Sequence, residues 1–224
     1  MSLAPYLPLS FRGTLHDIRL LNFSIDTREA QLLLPPPLRA GNFQGRTLVS
    51  MVSVRLRSMR LRSLPTWSGF GYRHIAFRLL VDDSQYTGGS TKGIYFVRSF
   101  VHNPLLALGG NILTDFRFST AHIEQTPEHL IVASRSGSIT ASFSGQPVNV
   151  DPDLHTAVGA IDRAYTVHNR RVYKVQIQRS SWPLVPLECT YFQTSFFHST
   201  RFEGAFIVPE TIPYMWLPPQ EILS

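Results

Sequence analysis

Apolar and polar residues alternate with a period of two through most of the chain, and clusters of Gly, Pro, Asn, Asp and Ser separate the runs. That period predicts strands with one face turned to a core. The runs lie at 17–25, 29–34, 47–57, 59–63, 72–81, 93–101, 115–124, 129–135, 138–144, 171–179 and 189–197. So many short strands predict an antiparallel barrel or sandwich. Two segments break the pattern. HNPLLALGGNIL (102–113) and DPDLHTAVGAIDRAY (151–165) carry apolar residues at helical spacing, and each opens on a capping residue before proline, Asn103 with Pro104 and Asp151 with Pro152. The expectation is therefore a mainly β (α+β) chain with a few short helices. LLLPPPLRAGN (32–42) reads as a connection rather than a domain linker, because strand pattern resumes at once. With 224 residues and no internal repeat, residues 1–224 are expected to form a single domain.

The stretch VSVRLRSMRLRS (52–63) tests the pattern most sharply. Val52, Val54 and Leu56 alternate with Ser53, Arg55 and Arg57, and then the parity flips, so that Met59 and Leu61 alternate with Arg60 and Arg62. An extra residue near Ser58 that reverses the faces is the signature of a β-bulge. The ladder Arg55–Arg62 then becomes one outer face of a bent strand. A nucleic-acid grip is the alternative, disfavoured because the segment lacks the interleaved aromatics of single-strand binders.

Composition narrows the class. Apolar residues make up 43% and charged residues 16%, ample for a buried core. The one cysteine, Cys189, allows no intramolecular disulfide and no thiolate metal cluster. The segment MSLAPYLPLSFRG lacks a basic start and a continuous apolar run, being interrupted by Pro5 and Pro8, and no stretch approaches the roughly 20 apolar residues of a membrane span. A soluble cytoplasmic protein without a membrane partner is expected. The net charge is +6, with 13 Lys and Arg against 5 Asp and Glu in residues 1–112 and 8 against 10 thereafter. Only Lys92 and Lys174 are lysines.

In order and spacing, PPPLRAGNFQGRTLVSMVSVRLRSMRLRSLP, IAFRLLV, KGIYFVRSF, FRFSTAHIE and AIDRAYTVHNRRVYKVQIQRSSWPLVPLE resemble the YqjF-like family, a domain of unknown function similar in fold to acetoacetate decarboxylase. The resemblance spans roughly residues 15–190. It implies an antiparallel acetoacetate-decarboxylase-like β-barrel with an interior pocket, and it brings no reaction with it. In the decarboxylases a lysine forms a Schiff base with the substrate ketone. The resemblance places that lysine near Phe118 and Ser119, where none stands, so Schiff-base chemistry is not expected. Where the family usually has a glutamate followed four residues later by an arginine, this chain has His74 and Arg78.

His74 and Arg78 share a strand face with Tyr72, Ala76 and Leu80. Arg78 is the candidate for bidentate binding of a ligand carboxylate, against the alternative of a structural ion pair. His74 is a candidate general base, against that of a satisfied core histidine. His122 is the second candidate for proton transfer, and Glu124, on the same face, joins Tyr95 and Arg117 as candidate ligand contacts. A metal triad of His74, His122 and Glu124 has no support from spacing, and no nucleotide fingerprint or nucleophile elbow occurs; no metal and no cofactor are expected. The function expected is a barrel pocket for a small anionic carbonyl or carboxylate compound, either a lyase-like enzyme lacking the Schiff-base lysine or a non-catalytic binding module. A homo-oligomer is allowed for, and the apolar tail 206–224 is expected to dock on this barrel or on a neighbour.

Overall fold

The computed structural model describes residues 9–89, 92–146 and 148–222. Pro5 and Pro8, Ser90 and Thr91 of the loop before Lys92, and the last two residues of the tail lie outside the described residues. The first half of the chain forms β1 (Phe11–Ile25), α1 (Thr27–Leu33), β2 (Arg39–Ala40), β3 (Thr47–Leu61), β4 (Phe70–Asp82), α2 (Ser84–Thr87), β5 (Gly93–Val101) and α3 (Pro104–Leu113). There follow β6 (Phe118–Thr120), β7 (His122–Gln125), β8 (His129–Ser134), β9 (Gly137–Phe143), α4 (Pro152–Gly159), β10 (Arg163–His168) and β11 (Arg171–Arg179). The chain ends with β12 (Val185–Leu187), β13 (Cys189–Thr194), β14 (Arg201–Val208), β15 (Ile212–Trp216) and β16 (Gln220–Ile222).

Seven strands close into a ring in the order β1, β3, β4, β5, β10, β11, β15 and back to β1. The barrel is mixed, which corrects the antiparallel expectation: β10 runs parallel to β5, with Arg163 opposite Gly93, and the short β6 is parallel to β5 as well. The reason is the excursion between β5 and β10. There the chain leaves the ring, builds α3, three strands of a second sheet and α4, and re-enters in the same sense, as a parallel pair requires of its connection.

The second sheet, ordered β13, β9, β8, β7, is antiparallel and packs on the outside of the barrel. Leu130, Val132, Ile139 and Ala141 of that sheet share a core with Ile75, Phe77 and Leu79 of β4. Both faces of β4 are therefore buried, one against this sheet and one toward the barrel interior.

Three local expectations change. Residues 29–34 are not a strand but part of α1, whose N-terminus is capped by Asp26 Oδ1 accepting from the Arg28 N–H at 2.7 Å. The run 115–124 divides at Ala121 between β6 in the barrel and β7 in the outer sheet, with Arg117 in the left-handed region at φ 56°. In 151–165 the helix ends at Gly159, and the rest enters β10.

The bulge in β3 sits at Ser58, at φ 53°, and the register with β4 jumps from Leu56 opposite Tyr72 to Met59 opposite Phe70. The tail is built into this chain: β14 pairs with the second half of β1, β15 closes the ring between β1 and β11, and β16 pairs with β11. Among the described residues no helix is long and apolar enough to cross a membrane.

Candidate functional site

Alternate side chains of the ring strands point inward around a cavity of about 230 Å³. From β3 come Val52, Val54, Leu56 and Met59, so the bulge at Ser58 keeps Met59 on the interior face after the parity flip. The arginines between them face outward. Arg55 pairs with Asp17 at 3.3 Å, and Arg60 Nη1 donates to the Ser58 carbonyl at 2.9 Å. From β4 come Phe70, Tyr72, His74, Ala76 and Arg78, the face that the alternation of that strand grouped together. Helix α3 covers one end of the cavity, held close because Gly110 has no Cβ to meet the Phe118 ring.

The polar groups of the cavity gather around Trp182. The Arg78 guanidinium carbon lies 5.6 Å from the indole ring centre and that of Arg179, from β11, lies 4.5 Å away. Arg78 is buried and held from one side only, its Nη2 donating to Ser50 Oγ at 2.8 Å and its Nε to the Ser50 carbonyl at 3.4 Å. Arg179, half-buried, donates to the carbonyls of Ile161 at 2.7 Å and Gly159 at 3.2 Å. Neither guanidinium has a carboxylate within ion-pair distance among the described residues. Burial, and then the charge of Arg179, pull the Arg78 pKa down to about 9; burial pulls Arg179 to about 10.

His74 is buried among aromatic rings, 4.9 Å from Phe118 and 5.3 Å from Phe116 between ring centres. Burial first, and the Arg78 charge second, depress it to about 3, so the imidazole is neutral near pH 7. Its Nε2 is buried without a hydrogen-bond partner among the described residues, as is Trp182 Nε1. Burial raises the phenols of Tyr72 and Tyr214 well above their ordinary value, and both line the cavity as neutral hydroxyls. Among the described residues the lining contains no Asp, Glu or Lys. The arrangement is thus two cations and several neutral hydrogen-bonding groups inside an apolar shell, which suits an anion or a developing oxyanion.

The other expected site residues do not meet here. His122 and Glu124 lie on β7 in the outer sheet, 3.9 Å apart, with side chains 72% and 57% exposed. Tyr95 points to the opposite side of β5 from the cavity-lining Phe96 and is buried in the core beneath the outer sheet, and the Arg117 guanidinium stacks 5.0 Å from its ring. Neither lines the cavity. The division of 115–124 between two sheets is what carries His122 and Glu124 away. Conversely, Arg179, Trp182 and Tyr214 join the cavity without having been singled out, and Tyr72 joins it from the face already grouped with His74 and Arg78. Arg179 was detectable, since it continues the interior face of Val175 and Ile177 on β11. Among the described residues no group of three or more His, Cys, Asp or Glu is placed to hold a metal ion.

The sequence model of the domain-of-unknown-function family 2071, described as an uncharacterized conserved protein, matches residues 12–220. The chain belongs to this family. No curated protein sequence matches it. Among solved structures, an acetoacetate decarboxylase-like enzyme from Sphingomonas wittichii RW1 is similar with a TM-score of 0.64 at 11% identity, over 100% of this chain and 97% of that one. Acetoacetate decarboxylase from Legionella pneumophila has a TM-score of 0.62 at 12% identity, over 100% and 96%. The enduracididine biosynthesis enzyme MppR, complexed with the condensation product of pyruvate and imidazole 4-carboxaldehyde, has a TM-score of 0.62 at 8% identity, over 96% and 90%. These likenesses establish the acetoacetate-decarboxylase-like fold of this family member. Phe118, near which the resemblance placed the decarboxylases' lysine, lines the cavity.

Proposed function

We propose that this barrel binds a small anionic carbonyl or carboxylate compound, with the anionic group held by Arg78 and Arg179. The observation that carries this reading is the pair of guanidiniums beside Trp182, lining a cavity with no carboxylate within ion-pair distance among the described residues, Asp162 acting on Arg179 only from farther away. Burying a charge without a counter-charge is costly unless a ligand supplies one. MppR, which has this fold, also forms a complex with pyruvate, an anion of the proposed class.

If the bound compound reacts, the lining favours chemistry in which negative charge grows on a carbonyl oxygen, as in a lyase that forms an enolate. The arginines would stabilise that charge, and His74 is the neutral group available to accept a proton. A bound anion offsets the Arg78 charge and so raises the basicity of His74 in the complex. Non-catalytic binding is the second reading, favoured by the low basicity of His74 in the free protein. The deciding experiment is a thermal-shift screen of small oxo acids and carboxylates on wild type and Arg78→Met. A ligand at 100 times its dissociation constant adds about 2.7 kcal/mol to the wild type. If no acid stabilises the wild type, the anion-binding reading fails; turnover of a stabilising acid separates enzyme from binding module.

A further inference from the structure

The two ends of the cavity differ in chemistry. At one end stand Arg78, Arg179, Trp182 and Tyr214, near one another. At the other, Leu105 (77% exposed), Phe70 (49%) and Leu113 (37%) both line the cavity and reach solvent, so the opening lies between α3 and the start of β4. Further apolar side chains are exposed on α3 and in the turn before β4. Leu108 and Ile112 on α3 are exposed beside Leu105 at helical spacing, and Trp67 and Leu64 are exposed in the turn between β3 and β4. Exposed Leu105, Leu108 and Ile112 along the helix that covers the cavity give it an apolar rim at the opening.

We propose that the ligand is an amphipathic carboxylate, bound with its acid group at the arginines and an apolar chain or ring running out past α3. The inference rests on the anion-binding reading above and adds the second half of the molecule. With the carboxylate at the arginines, the apolar walls formed by Val54, Leu56, Phe96 and Ile177 are left to face carbons of the chain. A longer chain emerges between Leu105 and Phe70 onto the exposed apolar rim. A wholly polar acid of three or four carbons would leave these walls facing water, and a neutral hydrocarbon would leave the guanidiniums without a counter-charge. The amphipathic acid matches both ends.

The test is isothermal titration of butyrate, hexanoate, octanoate and octan-1-ol into wild type, Arg78→Met and Leu105→Ser. The dissociation constant is expected to fall about fourfold for each added methylene that is buried, the ratio equivalent to about 0.8 kcal/mol. Octanol is expected to bind at least about tenfold more weakly than octanoate. Arg78→Met removes the advantage of the acid over the alcohol, and Leu105→Ser, at an exposed position, reduces the gain from chain length. Equal affinity for butyrate and octanoate would overturn the apolar tail while leaving the anion reading standing. Octanol binding as tightly as octanoate would overturn anchoring at the arginines, and failure of every acid to bind wild type would overturn both.

Discussion

Replacing Arg78 by methionine separates a residue kept for a ligand from one kept for the fold. The free protein carries Arg78 at a cost: burial pulls its pKa well below the ordinary arginine value, to about 9, and at about 1.4 kcal/mol per tenfold change in proton affinity that fall amounts to several kcal/mol. Against this stand the two hydrogen bonds to Ser50, whose buried Oγ loses a donor in the variant at about 1–3 kcal/mol. Methionine restores most of the apolar contact of the arginine stem, at some cavity cost. The expected net effect in the absence of ligand is a gain of about 1–3 kcal/mol, read as a higher urea midpoint at unchanged m-value. Adding a stabilising acid reverses the order, because the wild type alone takes the binding contribution. The pH dependence carries a second signature. Below pH 9 both folded and unfolded states hold the Arg78 proton and the full cost is present. Above about 9, and below the ordinary arginine value, the unfolded state binds more protons, so wild-type stability rises relative to the variant as pH rises through 9. A ligand-free variant less stable than wild type by 1 kcal/mol or more at pH 7 would refute the reasoning, because Arg78 would then be holding the barrel together.

His74 sets a slope at acid pH: the unfolded chain binds its proton near 6.5 and the folded protein only near 3, so stability is lost as pH falls from 6.5 toward 3, at up to about 1.4 kcal/mol per pH unit. Urea titrations between pH 7 and 4.5 should show His74→Phe flattening that dependence, and an unchanged slope would mean that the imidazole is not buried in neutral form. Gly110→Ala drives a methyl group into the Phe118 ring and should cost about 1–3 kcal/mol in denaturant unfolding, with loss of ligand affinity as α3 lifts from the opening; a neutral result would mean that helix and ring do not touch. Borohydride reduction in the presence of pyruvate should leave the intact mass unchanged, since neither Lys92 nor Lys174 lines the cavity; a reduced adduct on either would return the protein to Schiff-base chemistry.

Much of the architecture follows from local pattern. Alternation alone delimited 93–101 and 171–179, which are β5 and β11. The parity flip located the bulge at Ser58, because only an inserted residue keeps Leu56 and Met59 on one face. Asn103 and Asp151 marked the starts of α3 and α4, each side chain accepting from a backbone N–H two residues on. At 29–34 the same logic failed, since a short apolar run fits a strand or a helix equally well and the Asp26 cap decided the outcome.

The sequence by itself determined that β4 carries a histidine and an arginine on one face among apolar residues, that Lys92 and Lys174 are the chain's lysines, and that strands dominate. These are properties of neighbours along the chain, set by the two-residue repeat and by residue type. Which strands meet was decided only in three dimensions. The parallel contact of β5 with β10 depends on how residues 102–162 leave and re-enter the barrel. Ring closure brings Arg179 and Tyr214, more than a hundred residues along the chain from Arg78, to the same cavity. The break at Ala121 takes His122 and Glu124 to the outer sheet. A binding site assembled from strands remote in sequence has no local pattern, because its residues become neighbours through sheet registry and closure of the ring.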